Sequence, residues 1–89
     1  MRVRVINSKK IIYEGNAKEV ILPGEDGEFA VLDFHQAFLY SLTAGIIRII
    51  LSDWEKKEAK KTPKKVSAVR INIRKGLAKM VSNELVIMM

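Results

Sequence analysis

Three carboxylates, Glu25, Asp26 and Glu28, stand within four residues in the stretch Pro23-Gly24-Glu25-Asp26-Gly27-Glu28. Groups so close together could in principle bind calcium. A calcium loop delivers its ligands at alternate positions over about 12 residues, and this stretch is too short for that. The flanking glycines suggest a phosphate cradle, but carboxylates have the wrong sign for an anion and no Gly-Lys-Ser/Thr follows. Two glycines also fall short of a dinucleotide fingerprint. The single histidine, His35, has no carboxylate at a metal-ligand spacing, so a zinc site is not expected. Cysteine is absent, which removes thiolate metal sites, disulfides and cysteine nucleophiles together. No catalytic set emerges, and neither a metal nor a cofactor is expected. An enzyme is not expected on these grounds.

The second cluster is basic. Lys56, Lys57, Lys60, Lys61, Lys64 and Lys65 form the densest charge run of the chain, with Trp54 at its edge. Residues 1–54 hold 6 basic and 7 acidic side chains, whereas residues 55–89 hold 10 basic and 3 acidic. The whole of the net charge of +6 therefore lies in the second part. Two readings stand side by side: a solvated loop or hairpin tip, as charge runs commonly are, and a patch for a polyanion such as nucleic acid or an anionic membrane surface. Trp54 fits either an anchor at the base of a hairpin or an exposed interface residue.

The elements that must position these groups read as strands. Arg2-Val3-Arg4-Val5 alternates with period 2, and so do Val69, Ile71 and Ile73 with Arg70, Asn72 and Arg74 between them. Ile11 to Gly15, Ala17 to Leu22, Phe29 to Leu32, Ile46 to Leu51, Leu77 to Val81 and Leu85 to Met89 are further short runs. Asn7-Ser8-Lys9-Lys10 and Ser82-Asn83-Glu84 read as turns, and Pro23-Gly24-Glu25-Asp26-Gly27 as a loop. Residues 33–45 read as a short irregular or strand segment. Asp53 to Lys61 has good helix formers, limited to about two turns by Pro63 and like charges. Short strands separated by turn chemistry predict an all-β fold, a two-layer antiparallel sandwich of about 8–10 strands.

Eighty-nine residues suit one domain, spanning 1–89, with a thin core. With 48% hydrophobic and 29% charged residues, the composition is that of a globular chain and not of a disordered one. No apolar stretch approaches the roughly 20 residues of a membrane span, and the alternating N-terminus lacks the apolar core of a signal peptide. A soluble chain of a reducing or indifferent compartment is expected.

The stretch from Tyr13-Glu14-Gly15-Asn16-Ala17-Lys18 through Leu22-Pro23-Gly24-Glu25-Asp26-Gly27-Glu28 to Phe29-Ala30-Val31-Leu32 is more specific than composition. It resembles the N-terminal β-sandwich domain of the F-type ATP synthase epsilon-subunit family. That pattern continues with a His-centred turn (His35), a Leu-rich segment (Leu39, Leu42) and a Gly-Ile-x-Arg-Ile strand (Gly45-Ile46-Ile47-Arg48-Ile49), matched through residue 49 without a gap. It resumes more weakly at Lys75-Gly76-Leu77, Val81, Asn83 and Leu85-Val86-Ile87. This chain departs from the pattern in three places. Asp33-Phe34-His35-Gln36-Ala37 replaces the usual Pro-Gly-His-Ala-Pro. Arg74-Lys75-Gly76 replaces Ser-Gly-Gly. A lysine-rich hairpin or loop insertion occupies the region near 52–65.

The resemblance implies a non-catalytic subunit of the central stalk, a peripheral membrane protein on the cytoplasmic or equivalent organellar face. Its partners are the gamma subunit and the c-ring, and it serves proton- or sodium-driven ATP synthesis. Glu25, Asp26, Glu28 and His35 are the implied c-ring-facing residues. The two-helix C-terminal domain of the family is not expected here, and with it the inhibitory action of those helices. The rival reading is a small basic β-domain that binds nucleic acid or another polyanion through Lys56–Lys65.

Overall fold

A computed structural model describes residues 1–51 and 68–89. The lysine run Lys56–Lys65, Trp54 and the short helix expected from Asp53 lie outside these residues. The described residues form nine strands and no helix: β1 (Arg2–Ile6), β2 (Ile11–Asn16), β3 (Glu19–Gly24), β4 (Gly27–Leu32), β5 (Phe38–Leu42), β6 (Gly45–Ile50), β7 (Ala68–Ile73), β8 (Gly76–Val81) and β9 (Glu84–Met88).

The alternation in the sequence becomes an inner and an outer face. Val3 and Val5 of β1 are fully buried, and so are Val20 and Leu22 of β3, Ile47 and Ile49 of β6, and Leu85 and Ile87 of β9. Their odd neighbours, such as Arg2, Lys79 and Arg70, face water. Each Leu or Ile removed from water in this way stabilises the fold by about 1.5–3 kcal/mol. Turn chemistry sets the register. The Asn7 side-chain oxygen accepts from the backbone N–H groups of Lys9 (2.7 Å) and Lys10 (2.9 Å), closing the β1–β2 hairpin with an Asx turn. Ser82 and Asn83, both at positive φ (51° and 58°), join β8 to β9 in a left-handed pair whose twist suits a tight hairpin.

One hydrogen-bonded path runs β2-β1-β9-β8-β5-β3-β6-β7, with β4 attached to β3. It bends sharply between β5 and β3, where the only Cα partners are Gly24 and Leu42. On one side of the bend lie β2, β1, β9, β8 and β5, the first layer; on the other lie β4, β3, β6 and β7, the second. The chain passes between the layers at Ala17 and Lys18. The Ala17 N–H donates to the carbonyl of Met1 in the first layer (2.9 Å), and the Lys18 N–H to that of Ile50 in the second (2.9 Å). Valine, leucine, isoleucine and methionine side chains from both layers fill the space between them.

The all-β sandwich expected from the sequence is observed, with two corrections. The sandwich is not wholly antiparallel: β1 and β9 pair in parallel, from Arg2↔Glu84 to Ile6↔Met88, because the β8–β9 hairpin inserts between β1 and β5. Pro23 and Gly24 belong to β3 and not to a loop, since the ladder continues to Gly24↔Gly27 and leaves only Glu25 and Asp26 as the turn. Of the two readings of residues 33–45, irregular or strand, the strand is observed: β5 pairs with β8 over Phe38↔Met80 to Leu42↔Gly76.

One pairing opposes the fold. Arg48 and Arg70 are direct partners across β6 and β7. Glu28 compensates only Arg48, whose Nη2 lies 2.9 Å from the Glu28 carboxylate. Like charges directly opposite on a sheet destabilise it by a few tenths of a kcal/mol. Arg70→Thr is therefore expected to raise unfolding stability by about 0.5 kcal/mol at low salt. The gain should shrink toward zero near 1 M salt, where the screening length falls to about 3 Å. Denaturant titrations of both proteins at the two salt concentrations check this, and a gain independent of salt would count against the repulsion.

Candidate functional site

Glu25 and Asp26 form the two-residue tip between β3 and β4. Gly27 follows with φ of +125° and no atom within 4 Å of the place where a Cβ would stand. Backbone conformation, not crowding, therefore calls for glycine there. Gly24 is the opposite case. A Cβ on it would come within 2.8 Å of a Phe29 ring carbon and 2.9 Å of the Gly27 carbonyl oxygen. Its bareness lets the Phe29 ring lie against the hairpin. The Glu25 N–H donates to the Ser41 carbonyl (3.2 Å) and the Thr43 N–H to that of Pro23 (2.8 Å), so the tip is laced to β5.

From the tip a line of rings runs along the sandwich edge. The Tyr40 hydroxyl donates to Asp26 Oδ2 at 3.2 Å. Tyr40 and Phe29 have centroids 4.9 Å apart, tilted by 34°. Phe29 meets Phe38 edge-on at 5.9 Å, and Phe38 meets His35 edge-on at 5.2 Å. Such contacts contribute about 0.5–1.5 kcal/mol each beyond area burial. The hydrogen bond to Asp26, then the charge of that carboxylate, hold the Tyr40 phenol above its ordinary value of 10.0. It stays a donor throughout the physiological range.

The implied site residues do not gather at one point. Glu25, Asp26 and Glu28 share the β3–β4 hairpin, while His35 lies beyond the far end of β4, a strand about 17 Å long at 3.3 Å per residue. Both groups border the free edge of β4, which pairs only with β3, and the aromatic line joins them. Their environments differ. Asp26 is held by Tyr40 and Glu28 by Arg48, whereas Glu25 has no basic partner among the described residues. His35 is exposed, and its Nδ1–H donates to the carbonyl of Gln36 at 2.9 Å. No group of three or more metal-ligating side chains occurs among the described residues. The six lysines of the basic patch fall outside them.

Sequence reasoning left β5 as one of two readings, although Phe38, Tyr40 and Leu42 alternate with the more exposed Leu39. It missed the Asp33 carboxylate, which pairs with the α-amine of Met1. That amine also donates to the carbonyl of Ala17 at 2.8 Å. Nothing in the spacing of these residues announces the contact.

A family profile described as the ATP synthase, Delta/Epsilon chain, beta-sandwich domain matches residues 1–89. The chain belongs to that family. Among relatives of this ATP synthase delta/epsilon-type chain is the ATP synthase epsilon chain of Rickettsia bellii, 39% identical over 56 residues, covering 63% of this chain and 52% of the relative. The epsilon chain of Campylobacter lari is 47% identical over 51 residues, covering 57% and 39%. The delta/epsilon-type chain thus spans about half or less of the length of these relatives. A chain in the structure of the Tetrahymena thermophila mitochondrial ATP synthase central stalk and c-ring superposes over 99% of this chain and 61% of its own, with a TM-score of 0.71 and 15% identity. At that identity the likeness speaks for the fold.

The Asp26–Tyr40 contact gives a direct test. Asp26→Asn removes the charge that disfavours phenolate, so the raised Tyr40 titration is expected to move down toward 10.0. Ultraviolet difference spectra across alkaline pH, with Tyr40→Phe to assign the signal, report it. A titration unmoved by Asp26→Asn would refute the contact.

Proposed function

We propose that this chain is a non-catalytic rotor subunit of an F-type ATP synthase, linking the gamma subunit to the c-ring during ion-driven ATP synthesis. Family membership over residues 1–89 carries the reading. The likeness in fold to a chain of a central stalk and c-ring structure supports it. The task calls for a stiff module with two binding surfaces. A sandwich whose layers share one core and one laced edge suits it mechanically.

The acidic hairpin is the ring-facing surface in this proposal. Glu25 is unpaired, Asp26 is fixed by Tyr40, and Glu28 balances Arg48 while remaining half exposed. Together they present negative charge on a rigid tip, suited to basic loops of a ring. Rim pairs of this kind add little energy singly and serve mainly to fix orientation. His35, at the other end of the same free edge, marks the limit of that surface. No helix among the described residues is long and apolar enough to cross a membrane. Membrane association would accordingly come through the complex, at the cytoplasmic or equivalent organellar face. The described residues are all sandwich strands and turns, and in this proposal they serve assembly and coupling.

Reconstitution tests the proposal. Added to an epsilon-depleted synthase, the chain is expected to co-purify with gamma and restore coupling while leaving ATP hydrolysis uninhibited. The double variant Glu25→Lys, Asp26→Lys should still bind gamma but lose c-ring affinity about tenfold, a loss of roughly 1.4 kcal/mol, in a salt-dependent manner. Retention on nucleic acid with no capture by gamma would sink the rotor reading. Strong inhibition of hydrolysis would sink the non-inhibitory part alone.

A further inference from the structure

The β7–β8 turn exposes Arg74 and Lys75 at one end of the sandwich, where the family resemblance would place Ser-Gly. Neither cation has a carboxylate partner among the described residues. Beside them lies a hollow of about 410 Å³, lined by Asn72, Ile73, Arg74, Lys75 and Met89. That volume falls within the range of small-molecule sites. Ile73 is buried and Met89 exposed, so the hollow has an apolar side as well as a cationic one.

Gly76 permits this arrangement. A Cβ there would come within 2.7 Å of the Met88 carbonyl oxygen and 2.8 Å of Ile73 Cδ1. Its bareness lets the turn fold back against the end of β9. Met89 is pinned in its own way, its N–H donating to the Ile6 carbonyl at 3.0 Å. Ile6 leads into the Asn7–Lys10 turn, which brings Lys9 and Lys10 to the same end, exposed and without an ion pair among the described residues. The acidic tip shares this end but not this side of it. Gly24 pairs with Leu42 and Leu42 with Gly76, so β5 stands between Glu25 and the cations.

We propose that this hollow binds an anionic phospholipid, with the phosphate held by Arg74 and Lys75 and the first part of an acyl chain lying on Ile73 and Met89. The unpaired cations call for an anion, and the planar fork of Arg74 suits phosphate oxygens. The apolar side calls for hydrocarbon next to that anion, which a free phosphate lacks. A nucleic acid strand would ask for stacking rings, and no aromatic side chain lines the hollow. Lys9 and Lys10 add attraction to neighbouring headgroups. Presentation of the lipid by a bilayer rests on the rotor reading above, in which this end faces the ring. Binding of the lipid itself rests on the hollow alone.

A soluble short-chain lipid separates this site from the lysine run Lys56–Lys65. Monomeric dihexanoyl phosphatidylglycerol is titrated into the chain with isotope-labelled methionine methyl groups, and their NMR signals are followed. Saturable movement of the Met89 signal is expected, with the buried Met80 unmoved. The double variant Arg74→Gln, Lys75→Gln should weaken binding about tenfold or more, its unchanged Met80 signal reporting an intact core. Met89→Ser should weaken it as well, as read by calorimetry. Replacing all six lysines of the run by Gln should leave the Met89 titration as it was. A Met89 signal that never moves would overturn the site. Equal affinity for inorganic phosphate would leave only an anion pocket, and equal affinity for dihexanoyl phosphatidylcholine only an apolar groove; either overturns the proposal. So would binding that is lost with the six lysines but kept without Arg74 and Lys75. None of these outcomes touches the rotor reading, which stands or falls on capture by gamma.

Discussion

The fold depends on how two stacked layers of one sheet are joined at their shared edge. Between β5 and β3 a single Cα pair, Gly24 and Leu42, makes the turn from one layer to the other. It works because residue 24 has no Cβ: the Phe29 ring occupies the space a side chain would need. Phe29 then reaches Phe38 and Tyr40 on the first layer. The edge is closed by rings and by the backbone bonds from Glu25 and Thr43. The acidic tip is an extension of this joint, and of its carboxylates Asp26 is held by Tyr40 and Glu28 by Arg48.

How far the sequence revealed this depends on which physical signal each residue carries. Val3, Val5, Ile71 and Ile73 announced their strands because alternation of a half-wet sheet is written in residue type, and Ile46 to Leu51 did so as a β-branched run. Asn7 and the pair Ser82-Asn83 announced their turns for the same local reason. The extent of the β3–β4 ladder was not legible. Pro23 and Gly24 have loop chemistry, and only the partner strand shows that pairing continues through them. The parallel β1–β9 contact has no local signature, since it joins residues from opposite ends of the chain. Of the site, the carboxylates and His35 were visible as types. That they stand at two ends of one strand, bridged by four rings, follows from packing alone.

Charge shows the same division. The net +6 comes from the second part of the chain, while part of the described surface is balanced in local pairs, such as Arg2 and Arg4 with Glu14 and Glu84 or Arg48 with Glu28. Other charges there, Glu25, Lys79 and Arg70 among them, stand without an ion-pair partner, and Arg70 faces its own neighbour Arg48. Total charge describes how the molecule behaves at a distance. These single unpaired groups describe what each face can accept at contact.

The parallel pairing of β1 with β9 also has a bearing on how the protein is made. Arg2 cannot meet Glu84 until residue 84 has left the ribosome, so β1 must wait for β9. The β1–β2 hairpin can form early, but its inner edge stays unpaired until β9 arrives. Such distant pairing slows folding and leaves an open strand edge exposed to other nascent chains in the interval. Closing the loop grows costlier only slowly, by about 0.6 kcal/mol per doubling of its length. A lineage could therefore lengthen the segment between β6 and β7 with little thermodynamic penalty, while the timing of completion would remain governed by when residues 84–88 emerge.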